Sequence, residues 1–315
     1  MMNRLKKDPA PFQTEKWEGW QLRTPLGYDS NFLTRALPLN VILGQRTQDA
    51  APLKDGLGIE LKYLHFSSII DKKRKFPILT AVNIDGNHLK FLGAREGRFR
   101  VDNRLDPEFQ PAAKFYEKAL GRDPVTFSRG HLVRRFDPCW GDDTETAEIA
   151  DSHTFHYTNA APQVQKLNGG KWLNVEDYIL SKAQGKERRM TVFTGPIFPE
   201  SDPSYGKDRE GGPWQIPVSY WKVIAVQKSD AIVAATAFVL GQVDLLAPLY
   251  EALVFSNLRK RTLQELQSDN VQTTVVEIER LTNLDFGLLR ALDVANALES
   301  TRQTRRLGSV SDIII

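Results

Sequence analysis

The chain has 315 residues, of which 41% are hydrophobic and 26% are charged, and its formal net charge is +3, as in an ordinary globular protein of one large or two smaller domains. Its single cysteine, Cys139, excludes an intrachain disulfide, and its longest apolar run, residues 231–240, is about half as long as a membrane helix. The first twenty residues lack the apolar segment of a secretory signal, so we expect a cytoplasmic protein that does not contact a membrane.

The chain divides into three parts that differ in hydrophobic pattern and charge. Residues 1–51 show no sustained hydrophobic period, and we predict an N-terminal arm that wraps the body. Residues 52–300 are predicted to form one α+β domain with its core at about 61–240. The C-terminal tail, 301–315, is basic and then apolar.

Two β-rich segments open the predicted core. Residues 61–70 and 76–84 flank the charged stretch 71–75, which predicts a hairpin. Residues 125–127 predict a short strand that delivers residues 128–131 at its end.

A helix and a strand follow. Apolar residues after position 162 recur at helical spacing, interrupted by Gly169 and Gly170. Residues 190–194 predict a strand that stops at the pair Gly195-Pro196.

The last third begins with a second predicted hairpin, from 221–226 and 231–240. Thr274 and Glu277 form a capping-box pattern that predicts the start of a helix. Residues 286–298 carry an apolar stripe of helical character.

Three residues have the chemistry that phosphodiester hydrolysis requires. His131 is suited to take a proton from water near pH 7, and Arg129 can neutralise the phosphate. Asn168 can bind a hard cation through its amide oxygen, and Mg²⁺, with Mn²⁺ as a substitute, is the cation expected with oxygen ligands and water. The structural alternatives are a satisfied loop histidine, an arginine in a salt bridge and an asparagine that ends a helix before Gly169.

Two neighbours complete the predicted catalytic set. Asn159 orients the phosphate or the base by hydrogen bonding, or alternatively forms a turn. Glu176 holds a metal-bound water or orients a ligand, or is a surface glutamate. The spacing of His153 and His156 suggests zinc, but no further Cys or His completes a tetrahedral set, and the alternation around residue 155 predicts a strand.

Taken together, three motifs resemble the non-specific DNA/RNA endonucleases of the ββα-metal (His-Me finger) fold: R-G-H-L from Arg129, N-x-A-P-Q-x(4)-N-x(3)-W-x(3)-E from Asn159 to Glu176, and V-F-T-G-P from Val192. The resemblance implies a mixed, mainly antiparallel sheet flanked by helices. It also implies metal-dependent cleavage of DNA and RNA to 5′-phosphate and 3′-hydroxyl ends. A second active-site arginine is implied near Phe99, where Arg95 fits the family spacing better than Arg98, and the choice between them stays open.

One position departs from the family pattern, which has Asp-Arg-Gly-His where this chain has Ser128 before the arginine. Serine accepts a hydrogen bond but supplies no negative charge, so a catalytically weak nucleic-acid-binding module is the alternative function. A hydrolase with Ser128 as nucleophile and His131 as base is disfavoured, because the two side chains point apart and no G-x-S-x-G elbow occurs.

Basic residues in two clusters are candidates for contacts with a phosphate backbone. They are Lys72, Lys73 and Arg74 in one cluster, and Arg134 and Arg135 in the other. The alternative for each cluster is a solvated turn or helix end.

The biological role follows from the danger of an indiscriminate nuclease to its own genome. Either the enzyme is held inactive until triggered, as in an antiviral defence effector or a death nuclease, or it is a delivered toxin with an immunity partner. A regulatory or immunity partner and a homodimer are therefore both left open.

Overall fold

The computed structural model describes residues 25–56, 58–93, 97–116, 127–164, 167, 171–185, 188–205, 212–242, 246, 271–297 and 305–306. The α-helices are α1 (Leu39–Leu43), α2 (Ala113–Tyr116), α3 (Thr144–Thr154), α4 (Lys171–Gly185) and α5 (Val275–Thr282). The strands are β1 (Leu61–Tyr63), β2 (Phe66–Ile70), β3 (Pro77–Asp85), β4 (Ser128–His131), β5 (Ala160–Gln163), β6 (Arg189–Ile197), β7 (Ser204–Tyr205), β8 (Trp214–Gln215), β9 (Ser219–Ser229), β10 (Ile232–Gly241), β11 (Val271–Thr273) and β12 (Arg305–Arg306).

A central sheet organises the described residues. Eight of their strands lie in the order β1-β2-β3-β6-β9-β10-β11-β12, and each neighbouring pair is antiparallel. The predicted hairpin of β9 and β10 is confirmed, with a turn at residues 230–231. Both strands are rich in Val, Ile and Ala, which explains their burial on both faces.

The two faces of this sheet support two hydrophobic cores. Along β9, Tyr220 and Ile224 face the core that also contains residues of α4 and the segment after His131. Trp221 and Val223 face the opposite core, which contains residues of α5. Because side chains alternate along a strand, the even-numbered positions of β9 point towards the half of the molecule that carries β4, β5 and α4.

A separate antiparallel pair, β4 and β5, lies with α4 over that face. This strand–strand–helix unit carries Arg129 and His131 on β4 and Glu176 on α4. The predicted strand end at 128–131 is itself the strand β4, while residues 125–126 lie outside the described residues.

The predicted hairpin around residues 71–75 is confirmed as the antiparallel pair β2 and β3. The β-rich segment 61–70 is not one strand, because the chain turns between β1 and β2. His65 sits in this turn with φ of 66°, a left-handed conformation that the sequence does not signal with glycine or asparagine. Its ring stacks on Trp140 at 3.5 Å between centroids, and its Nδ1 bonds Pro138 O at 2.8 Å, which holds the conformation in place.

The strand predicted at 190–194 does not stop at Gly195-Pro196 but continues to Ile197 as β6. Gly195 and Pro196 pair with residues of β9. The nearby backbone of β3 leaves room only for glycine at position 195, since a Cβ there would lie 2.4 Å from Ile78 O.

Two other predictions from periodicity are corrected. The strand expected around residue 155 is the end of α3 followed by a 3-10 helix, Tyr157–Asn159. The stripe at 286–298 forms two 3-10 helices, Gly287–Arg290 and Val294–Ala297. The predicted helix start at Thr274 is confirmed, because its side chain accepts from Glu277 N at the start of α5. The Glu277 carboxylate accepts from Arg280.

Within the part of the chain that the structure describes, no helix has both the length and the apolar content that crossing a bilayer would require.

Candidate functional site

The register of β4 decides which motif residues act together. Arg129 pairs with Pro162 and His131 with Ala160, so the arginine and the histidine project from one face of the strand. Ser128 pairs with Gln163 and projects from the other face together with the Gly130 position. The geometry therefore separates Ser128 from His131 and excludes them as a nucleophile and base pair.

His131 is a partly buried histidine held by aromatic rings. Its ring centroid lies 4.9 Å from that of Phe99 and 5.1 Å from that of Phe155, the latter edge to face. Its Nε2 is buried and has no hydrogen-bond partner among the described residues. Burial, together with the positive charge of Arg135, lowers the pKa of His131 to about 4, so the ring is neutral at pH 7.

Arg129 is exposed beside the same rings. Its guanidinium carbon lies 5.8 Å from the ring centroid of Phe99 and 5.5 Å from that of Tyr116. Such cation–π contacts orient a guanidinium while leaving its N–H groups free to face solvent or an anion. Phe99 thus touches both the predicted base and the predicted phosphate-binding group, a role that the sequence motifs did not indicate.

The chain just after His131 is fixed by Asn159. Leu132 N donates to Asn159 O at 3.0 Å, and Val133 N donates to Asn159 Oδ1 at 2.9 Å. Asn159 Nδ2 in turn donates to the carbonyl oxygens of Val133 and Thr154, both at 3.0 Å. The side chain is 0% exposed, so Asn159 fixes the backbone that follows His131, and a direct bond from it to phosphate has no support in this geometry.

Glu176 lies on α4 and is buried beside a lysine that the sequence analysis did not single out. Lys222 Nζ lies 3.1 Å from Glu176 Oε1, and it donates to Leu132 O at 3.3 Å and to Thr194 Oγ1 at 3.1 Å. The alternative of a surface glutamate is wrong, since the side chain is only 8% exposed. A signal was available, because Lys222 occupies an inward-facing position in a strand of apolar residues.

Asp137 is a further buried acid near this pair. Burial raises the pKa of Asp137 to about 7, the positive charge of Lys222 opposes the rise, and the negative charge of Glu176 adds to it. Glu176, Asp137 and Lys222 therefore form a charged cluster beneath the segment that follows His131.

Two predicted site residues, Arg95 and Asn168, lie outside the described residues. Within the described ranges, no group of three His, Cys, Asp or Glu side chains is placed to hold a metal ion. The carboxylate at the site, Glu176, already has a lysine as counter-charge. Among the described residues the site therefore offers one carboxylate, that of Glu176, and not a cluster of carboxylates.

The zinc interpretation of His153 and His156 has no support. His153 Nδ1 accepts from Leu64 N at 3.0 Å, and His156 Nε2 accepts from Arg100 Nε at 3.0 Å. Both rings thus use nitrogen lone pairs for structural hydrogen bonds.

Three of the five residues predicted to contact nucleic acid have structural partners instead. Arg74 is 6% exposed and forms a buried ion pair with Asp202, which corrects its interpretation as a phosphate contact. Arg135 binds buried Asp151 through Nε at 2.6 Å and Nη2 at 3.1 Å, and the same correction applies.

The third, Arg134, pairs with Asp177 of α4 and is mostly buried. Lys72 and Lys73 remain exposed, with Lys73 Nζ at 3.3 Å from the exposed Glu200. A pair of this kind is weak in water, so these two lysines keep their predicted role as candidate phosphate contacts.

Comparison with known proteins agrees with this geometry. A family model described as DNA/RNA non-specific endonuclease matches residues 46–290. A chain in the crystal structure of the EndoG/EndoGI complex superposes with a TM-score of 0.52 at 18% sequence identity, covering 79% of this chain and 91% of that one. At this identity the likeness shows the fold, and the predicted α+β nuclease fold is confirmed.

Curated relatives include an uncharacterised protein of Sinorhizobium fredii, 32% identical over 301 residues, which are 91% of this chain and 42% of the relative. Mitochondrial endonuclease G of Homo sapiens is 31% identical over 170 residues, 51% of this chain and 52% of the relative. A salivary endonuclease of Lutzomyia longipalpis is 27% identical over 186 residues, 53% and 44% respectively. The chain spans about half the length of these curated relatives.

Proposed function

Since the chain belongs to the DNA/RNA non-specific endonuclease family, we propose that it is an endonuclease that hydrolyses the phosphodiester bonds of DNA and RNA without sequence preference. The observation that carries the proposal is the shared face of β4, where neutral His131 and exposed Arg129 stand two residues apart. A base and a fixed positive charge on one rigid strand are what attack on a phosphate requires.

The proposed reaction uses each of these groups at a stated atom. A ring nitrogen of His131 takes a proton from water, whose oxygen attacks phosphorus in line. The bond from phosphorus to the 3′ oxygen breaks, and that oxygen leaves with a proton from solvent. The products therefore carry 5′-phosphate and 3′-hydroxyl ends, and the guanidinium of Arg129 offsets the charge that accumulates on the phosphate oxygens.

A divalent cation, for which we propose Mg²⁺ with Mn²⁺ as a substitute, would supply Lewis-acid stabilisation of the phosphate when bound. Asn168 is the proposed ligand, and Glu176 would hold one of the cation's water molecules. Asn159 positions the strand that carries the base, and we keep Arg95 as the proposed second arginine.

The alternative of a catalytically weak nucleic-acid-binding module rested on Ser128. The register of β4 puts Ser128 on the face opposite His131, which supports a role for the serine apart from the proposed base. We therefore favour the enzyme.

The cellular role is proposed from chemistry and from one structural relative. EndoG, whose fold this chain shares, is inhibited in its complex with EndoGI. We propose that a regulatory or immunity protein likewise restrains this nuclease, as a cytoplasmic defence effector or a toxin would need. A second copy of this chain is the alternative partner, and size-exclusion chromatography with light scattering would distinguish such a homodimer from a monomer.

The decisive experiment incubates purified protein with supercoiled plasmid and with RNA, in Mg²⁺ and in EDTA. We expect both substrates to be cut in Mg²⁺ only. His131→Ala should lose on the order of 10²- to 10⁴-fold in rate with nucleic-acid binding nearly intact. An alanine variant that cuts plasmid at more than half the parent rate would show that another group is the base.

A further inference from the structure

Lys222 is a buried charge at the junction of three parts of the site. It projects from β9 and is 1% exposed. Its ammonium group reaches Glu176 on α4, the carbonyl oxygen of Leu132 directly after His131, and Thr194 on β6. The ammonium donates hydrogen bonds to Leu132 O at 3.3 Å and to Thr194 Oγ1 at 3.1 Å, and its contact with Glu176 Oε1, at 3.1 Å, is an ion pair.

The energetic cost of this arrangement indicates that packing alone does not account for it. Removing an ammonium from water is costly, and apolar side chains of similar volume fill buried positions at least as stably as ion pairs do. Unlike an apolar residue, Lys222 can hold its polar partners in fixed positions relative to one another. One nitrogen atom joins the carboxylate of Glu176 to the peptide group next to the proposed base.

Two other acidic residues near this cluster, Asp177 and Asp137, are placed differently. Asp177 of α4 pairs with Arg134, but its side chain is 56% exposed. Asp137, which shares the buried cluster, lies at the far end of the turn that begins at Arg134. Lys222 contacts both Glu176 and the segment that follows His131.

We propose that Lys222 is a positioning residue of the nuclease, which holds the Glu176 carboxylate at a fixed place relative to His131. The inference rests on the proposed function, because Glu176 matters only if the site hydrolyses phosphodiesters. Lys222 touches neither substrate nor cation in this role and acts through Glu176. Its removal should therefore lower the rate of the chemical step and leave nucleic-acid affinity unchanged.

A double-mutant cycle tests this coupling. The four proteins are the parent, Lys222→Met, Glu176→Gln and the double variant, with Asp177→Asn as a matched control on the same helix. Single-turnover cleavage of a DNA duplex is measured at saturating Mg²⁺. Duplex affinity is measured in EDTA by fluorescence anisotropy, and thermal midpoints are recorded without metal.

We expect Lys222→Met to slow cleavage at least tenfold, with duplex affinity within twofold of the parent. In the Glu176→Gln background the same substitution should cost less than threefold, because the group that Lys222 positions is already absent. Asp177→Asn should stay within twofold of the parent. An equal loss in both backgrounds, or a loss of duplex affinity that accounts for the rate, would overturn the proposal.

Lys222→Met removes a counter-charge from the buried Glu176 carboxylate and is therefore expected to destabilise the fold. If it does not fold, the double variant, which buries no unpaired charge of this pair, is compared with Glu176→Gln. Equal rates support positioning through Glu176, and a tenfold difference overturns it. A parent that binds duplex but does not cut it would instead overturn the proposed function, whereas a cutting parent matched by Lys222→Met would overturn this inference alone.

Discussion

Replacing His153 with glutamine should make the protein more resistant to acid. His153 Nδ1 accepts a hydrogen bond from Leu64 N at 3.0 Å, a role that requires the unprotonated nitrogen. Burial, together with the neighbouring His156 ring and the positive charge of Arg100, lowers the pKa of His153 to about 3. Glutamine retains an acceptor oxygen but does not titrate.

The sign of the effect follows from proton binding. An unfolded histidine titrates near pH 6.5, so between that pH and about 3 the unfolded state binds one proton that the folded state rejects. The contribution of His153 to stability is complete above pH 6.5 and is lost as the pH falls. The loss amounts to about 1.4 kcal/mol per pH unit, or about 2 kcal/mol between pH 6.5 and 4.5.

Urea unfolding of the parent and of His153→Gln at pH 7.5, 6.5, 5.5 and 4.5 measures this contribution. The difference between the two free energies of unfolding should change by about 2 kcal/mol between pH 6.5 and 4.5, in favour of the variant. Parallel pH profiles would refute the reasoning. The result bears on function, since Phe155, two residues after His153, packs against His131 at 5.1 Å.

Four other predictions address the site. Asn168→Ala should raise the Mg²⁺ concentration needed for half-maximal cleavage, and an unchanged Mg²⁺ affinity by calorimetry would assign Asn168 to helix capping instead. Ser128→Asp should keep or raise activity, because position 128 lies opposite Gln163, whose buried amide has no partner among the described residues; a collapse of activity in a folded variant would contradict this. Gly130→Ala should cost about 1–3 kcal/mol in a denaturation experiment, because its Cβ would lie 2.2 Å from the Gln163 side chain; an unchanged midpoint would show that Gln163 moves freely. Duplex affinity should fall with salt at a logarithmic slope of about −0.9 per phosphate contacted, with cleavage indifferent to sequence; cuts confined to one short motif at every salt concentration would rule this out.

The sequence supported the parts of the fold whose signals are local. The hairpin of β9 and β10 follows from two apolar runs around a short polar turn, and the start of α5 from Thr274 and Glu277. The turn at His65 could not be predicted in the same way. Its left-handed backbone is stabilised by Trp140 and Pro138, which are more than seventy residues away in sequence.

The residues of the site also differ in how far the sequence alone could predict their roles. The motifs indicated His131 and Arg129 by residue type and spacing, and the structure brings them to one face of β4. The prediction that Arg74 and Arg135 contact phosphate was wrong, because a cluster of basic residues in the sequence does not reveal a buried acid elsewhere in the chain. Lys222 was missed because its partners come from three elements that only the folded chain brings together.

The placement of Arg129 and His131 two positions apart on one strand has a consequence for how this site tolerates change. The distance between their Cα atoms is set by the rise of an extended strand, about 7 Å over two residues, and not by the packing of their side chains. Substitutions in either core therefore leave this spacing intact as long as β4 stays paired with β5. One inserted residue between them would turn Arg129 to the opposite face, and two would restore the face but double the separation. The separation of the backbone positions of Arg129 and His131 is thus fixed by the strand itself. It does not depend on the composition of the cores, but any insertion or deletion between the two residues would change it.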